Sequence, residues 1–138
     1  TKPKVGGLDF SFSGFKTAVL YFIQREVKAN PNFISENLND ICASIQYTII
    51  GILVDKLKLA SKQTDIKHIA IGGGVSANSG IRQALKDGEQ KFGWTTYVPK
   101  FEFTTDNAAM IAIVGYLKYL EGYFAEQGVV ASARLKIS

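Results

Sequence analysis

Ile69-Ala70-Ile71-Gly72-Gly73-Gly74-Val75-Ser76-Ala77-Asn78 is the stretch on which the fold of this chain turns. A short apolar run ends in three consecutive glycines, and a capping-type segment follows. The apolar run predicts a buried strand over residues 67–71, and the segment after the glycines predicts a helix over residues 76–91. Glycines lack Cβ atoms, so this backbone can turn sharply and let a ligand approach closely. The N–H groups at a helix start, together with the helix dipole, favour an anion such as a phosphate. A tight strand-to-helix turn that binds nothing fits the same pattern. Ser76 and Asn78 suit helix caps, and Asn78 equally suits a ribose or a base edge.

Outward from this turn, the chain alternates element types. Leu8, Phe10 and Phe12 alternate with Asp9 and Ser11, which predicts a strand over residues 8–12. Phe15, Ala18, Val19, Phe22, Ile23 and Val27 recur at helical spacing until Asn30-Pro31 stops the helix. A long second helix begins near Ser35. It carries a stripe of Leu38, Ile41, Ile45, Ile49, Ile52, Leu53, Leu57 and Ala60, with Gly51 as a candidate break. Residues 94–98 predict a strand ended by Pro99, and residues 105–123 a last helix. That helix is apolar all round in its first half, Ala108 to Val114, which predicts burial between layers. One short strand is expected within residues 129–137. The fold class is therefore α/β, a mixed sheet with flanking helices. Three or four strands make only a small sheet, which points to one part of a larger protein.

Composition narrows the function classes. The chain has 138 residues, 46% hydrophobic and 20% charged, which suits a single globular domain. No apolar run has the length of a membrane span, and no signal-peptide pattern opens the chain. The net charge of +4 is weak support for a nucleic-acid partner, because the lysines are spread out. A lone cysteine, Cys42, excludes an internal disulfide and a multi-cysteine metal site. Among Ile41, Ala43 and Ile45 it reads as a buried, inert thiol, and a reducing cytoplasm fits.

Two further segments carry chemistry-bearing side chains. Thr104-Thr105-Asp106-Asn107 reads as a helix cap with an acidic first turn. A carboxylate at the end of a buried helix also needs a partner, and a cation is one. In Asp9-Phe10-Ser11-Phe12-Ser13-Gly14, alternation puts Asp9, Ser11 and Ser13 on one face, toward either a cleft or water. The single histidine, His68, lies away from the ligand-binding ends of the strands and reads as structural or exposed. No residue is assigned a catalytic role.

Taken together, Asp9–Gly14, Gly73–Asn78 and Thr105–Ala112 resemble the C-terminal part of the bacterial tRNA threonylcarbamoyladenosine transferase family, TsaD, also called glycoprotease or O-sialoglycoprotein endopeptidase. The resemblance covers about residues 6 to 122. It implies a two-lobed actin-like ATPase fold with a ribonuclease-H-like core, shared with sugar kinases, heat-shock chaperones and actin. It implies transfer of threonylcarbamoyl from its adenylate to N6 of the adenosine beside the tRNA anticodon. It implies one divalent metal ion, iron or zinc, held by two histidines of a His-x-x-x-His stretch and by Asp106. Acting as a Lewis acid, that metal would work on the acyl phosphate. An ATP-type nucleotide or the adenylate would contact Asn78, with Gly73, Gly74 and Ser76 along its phosphates. The implied partners are tRNA and proteins of the TsaB and TsaE types, and the implied location is the cytoplasm.

The resemblance also says what to expect of residues 1–138 alone. They match one lobe, the C-terminal portion, without the N-terminal lobe and its histidines, so isolated activity and tight metal binding are not expected. Two rival functions remain. Gly72-x-Gly74-x-x-Ala77 formally matches a dinucleotide fingerprint of a Rossmann-type oxidoreductase, although residues 94–98 lead to Pro99-Lys100 and not to the expected acidic residue. Alternatively, the chain is a docking module for partner proteins or tRNA. A peptidase finds no nucleophile–base pair and no zincin motif here.

Overall fold

The computed structural model describes residues 5–130. It divides into two compact units, Thr1–Thr104 and Thr105–Ser138. The first holds helices α1 (Phe12–Ala29) and α2 (Phe33–Thr64), strand β1 (His68–Ala70), helix α3 (Ser79–Phe92) and strand β2 (Thr95–Tyr97). Short 3-10 turns span Gly74–Ala77 and Phe101–Phe103. The second unit holds helix α4 (Ala108–Leu120). No helix among the described residues is long and apolar enough to cross a membrane.

The centre of the first unit is a β–α–β unit. Strands β1 and β2 are parallel, with His68 opposite Thr95 and Ala70 opposite Tyr97, and α3 makes the crossover that parallel strands require. Ile69, Ile81, Leu85 and Trp94 form the buried core, and Ile50, Leu53, Val54 and Leu57 of α2 pack against it. Removing a leucine such as Leu85 from water contributes about 1.5–3 kcal/mol. Trp94 keeps its indole N–H satisfied by donating to Ser61 Oγ at 3.3 Å. Gly51 does not interrupt α2: packing on both sides outweighs the roughly 1 kcal/mol penalty of a helical glycine. The irregularity in α2 falls at Asn37, whose side-chain amide donates to the Phe33 carbonyl at 2.9 Å.

Four expectations from the sequence are corrected. Residues 8–12 form no strand: a strand needs a partner edge, and among the described residues the only ladder joins β1 to β2. Phe12 instead opens α1. For the same reason the sheet has two parallel strands, and it is not the mixed sheet expected. Cys42 is exposed, because α2 turns its covered face toward α1 and α3 and leaves this position outward. The apolar first half of α4 is also exposed, with Ile111 at 78%. Apolar character all round a helix predicts burial only where other elements cover it. The strand expected within residues 129–137 falls almost entirely outside the described residues, and Val129 and Val130 are not in a strand.

Candidate functional site

The glycine turn leaves the C-terminal end of β1, where ligands sit in α/β sheets. Gly72, Gly73, Gly74 and Val75 are exposed. Gly73 has φ 71° and ψ −177°, a region essentially closed to residues with a Cβ. A side chain there would meet open space, so the backbone angle alone demands glycine. The turn's order comes from Ser76. Its hydroxyl donates to the Gly73 carbonyl at 2.7 Å, and its N–H reaches the same oxygen at 3.0 Å. Ser76 is only 1% exposed, so its side chain shapes the turn from inside. Among the described residues, the N–H groups of Gly72, Gly73, Gly74 and Val75 have no protein acceptor. Consecutive free N–H groups on an exposed turn suit an anion.

Asn78 caps α3: its Oδ1 accepts from the Ile81 N–H at 3.0 Å. Its Nδ2 donates to Gln46 Oε1 at 3.3 Å, which fixes the amide from the side of α2. Arg82 braces the turn. Its Nε donates to the Ser76 carbonyl at 2.6 Å and its Nη2 to the Pro99 carbonyl at 2.8 Å. Neither Gln46 nor Arg82 stood out in the sequence. Gln46 interrupts an apolar helix face, which is a faint signal, whereas Arg82 has none, because its partners are backbone atoms distant in the chain.

The first motif reaches this neighbourhood through Phe10. Phe10 lines a cavity of about 200 Å³ together with Gly72, Val75, Ser76 and core residues of α2 and α3. Lys56 of α2 donates to the carbonyls of Val5 at 3.0 Å and Gly7 at 2.5 Å, which holds this segment in place. The expected common face of Asp9, Ser11 and Ser13 is not formed. Ser11 is the N-cap residue of α1, Ser13 lies in its first turn, and Asp9 is exposed. Helical geometry separates side chains that strand alternation would align.

In the second unit, Asp106 is exposed and precedes α4. The cap is Asn107, whose Oδ1 accepts from the Met110 N–H at 3.2 Å, and not Thr104 or Thr105. Thr104 is buried and donates to the Phe101 carbonyl at 2.8 Å. Among the described residues no three His, Cys, Asp or Glu side chains converge to hold a metal ion. A lone exposed carboxylate is an incomplete donor set, so these residues do not by themselves fit a bound iron or zinc. His68 is exposed at the start of β1, with Nδ1 3.0 Å from Tyr97 Oη.

Comparison with known proteins bears on this geometry. The sequence model of the family described as "TsaD: tRNA N6-adenosine threonylcarbamoyltransferase" matches residues 1–113. The chain belongs to the TsaD family. It is 71% identical over 135 residues to the tRNA N6-adenosine threonylcarbamoyltransferase of Christiangramia forsetii, covering 98% of this chain and 40% of that protein. It is 58% identical to that of Riemerella anatipestifer over 99% of this chain and 40% of the relative. The figure for the Porphyromonas gingivalis relative is 48%, with the same coverage. The chain thus spans about 40% of the length of these TsaD relatives. All three motifs fall inside the matched residues.

Proposed function

We infer that this chain is the nucleotide-binding C-terminal portion of a tRNA N6-adenosine threonylcarbamoyltransferase. The reading is carried by the exposed glycine turn with its acceptor-free N–H groups, Gly72 to Val75, in a chain of the TsaD family. The whole protein is assigned a two-lobed actin-like ATPase fold, with these residues in one lobe. Gly73 and Gly74 run along the phosphates of an ATP-type nucleotide or of threonylcarbamoyl-adenylate, Ser76 holds the turn in shape, and Asn78 faces the nucleoside. In the reaction, N6 of the tRNA adenosine attacks the carbamoyl carbon, the acyl–phosphate bond breaks, AMP leaves with the bonding electron pair, and N6 releases one proton to solvent. The N–H groups of the turn stabilise charge on the departing phosphate. Asp106 contributes one carboxylate to a metal site whose histidines come from outside this chain. The partners assigned are tRNA, which the net charge of +4 favours, and proteins of the TsaB and TsaE types.

The test is a titration of the full-length protein with ATP, AMP and NAD, followed by transfer from threonylcarbamoyl-adenylate to tRNA. Binding of the mononucleotides and transfer to adenosine are expected. Preference for NAD, without transfer, would overturn this reading in favour of a Rossmann-type dinucleotide-binding domain.

A further inference from the structure

Among the described residues, Arg82 is the one side chain whose hydrogen bonds join the glycine turn to the segment after β2. Its two bonds reach Ser76 at the end of the turn and Pro99, which are separated by 23 positions in the chain numbering. The turn itself contains three glycines, one of which, Gly73, has positive φ, so its unbound ensemble is broad unless something restrains it. Ser76 closes the turn locally, and Asn78 anchors its exit on α3. Among the described residues, Arg82 adds the one side-chain hydrogen-bond link from the turn to the loop that follows β2. Among the described residues no carboxylate forms an ion pair with it. Its guanidinium is therefore given over to backbone carbonyls, and its fork geometry fits two acceptors at once.

We propose that Arg82 is a positioning residue for the phosphate-binding turn: it holds Gly72–Asn78 in the conformation that receives the nucleotide. This rests on the nucleotide-binding reading above. Preorganisation lowers the ordering cost of binding, so loosening the brace weakens affinity without removing any group that touches the ligand.

The experiment uses the full-length protein and measures the Kd of AMP for wild type, Arg82→Met, Arg82→Lys and Gly88→Ala, with amide exchange at Gly72–Val75. Arg82→Met is expected to raise the Kd about tenfold, the order expected for loss of charge-assisted hydrogen bonds. Arg82→Lys keeps the charge but not the fork, so it too binds more weakly, and exchange quickens in both. Gly88→Ala lowers stability from the far end of α3 and leaves the Kd unchanged below its melting temperature. An Arg82→Lys protein that folds and binds AMP like wild type overturns the proposal, even if Arg82→Met fails to fold. A Kd raised equally by Gly88→Ala also overturns it, since the effect would then be general instability. A wild-type protein that binds no adenine nucleotide defeats the functional reading and this proposal together.

Discussion

The Ser76 hydroxyl lies 2.7 Å from the Gly73 carbonyl oxygen and closes the glycine turn from its buried side. The pair divides the labour of the turn: Gly73 supplies a backbone conformation that other residues avoid, and Ser76 restrains it. Gly73→Ala should cost about 1–3 kcal/mol from backbone strain alone. Ser76→Ala should cost about 1 kcal/mol, because the Gly73 carbonyl keeps one donor, the Ser76 N–H. Denaturant unfolding checks both values. Nucleotide titration of the full-length protein should show weaker binding in each.

Asn78 separates capping from ligand contact. Serine caps helices about as well as asparagine, so Asn78→Ser should leave stability within about 0.5 kcal/mol, while Asn78→Ala should cost about 1 kcal/mol. Both should weaken nucleotide binding, since both lose the amide now held by Gln46. Wild-type affinity in Asn78→Ser would reduce Asn78 to a helix cap.

Gly88 sits against the face of Trp94, and a Cβ there would collide with the indole ring. The ring is buried and cannot swing aside cheaply. Gly88→Ala is therefore expected to destabilise the protein by about 1–3 kcal/mol, despite the better helix propensity of alanine. A stabilised variant would mean that the core repacks around the indole.

Glu89 gives a pH signature. Its carboxylate accepts from the Thr96 hydroxyl at 2.6 Å and the Thr96 N–H at 3.0 Å. The hydroxyl first, and then the N–H, hold its pKa below the ordinary 4.5, with a smaller contribution from Lys86 and a small opposing effect of desolvation. A carboxyl depressed in the folded state contributes stability fully above its unfolded pKa and loses it as pH falls through the folded value. Wild type should therefore exceed Glu89→Gln in stability by more near neutral pH than in acid. A difference that stays constant with pH would show that the ionised form gains nothing here.

Asp106 and Asn107 should behave oppositely. Asn107→Ala removes the α4 cap and should cost about 1 kcal/mol. Asp106→Ala, outside the helix and exposed, should leave stability nearly unchanged and lower the metal content and transfer activity of the full-length protein. Full metal occupancy in Asp106→Ala would remove it from the ligand set.

Much of this was legible in the order of residues. The helices over Phe12–Ala29 and Phe33–Thr64, both strands and the glycine turn follow from periodicity and from Gly, Asn and Pro positions, because local propensity and the fold agree there. The alternation over residues 8–12 predicts a strand that does not form, because alternation describes a half-buried strand only when a neighbouring edge exists. Cys42 and Ile111 were misplaced because burial depends on what covers a face, and a helix with a uniform apolar surface does not specify its neighbours.

By itself, then, the sequence determined the strand–glycines–helix unit, its placement at the C-terminal end of a strand and the family to which the chain belongs. Those are properties of residues adjacent in the chain. Tertiary structure alone decided that Ser76 turns inward, that Gln46 holds the Asn78 amide and that Arg82 joins the turn to Pro99. The physical reason is range: hydrogen bonds between residues 17 and 32 positions apart depend on how α2, α3 and the two strands pack, and no local pattern encodes that packing.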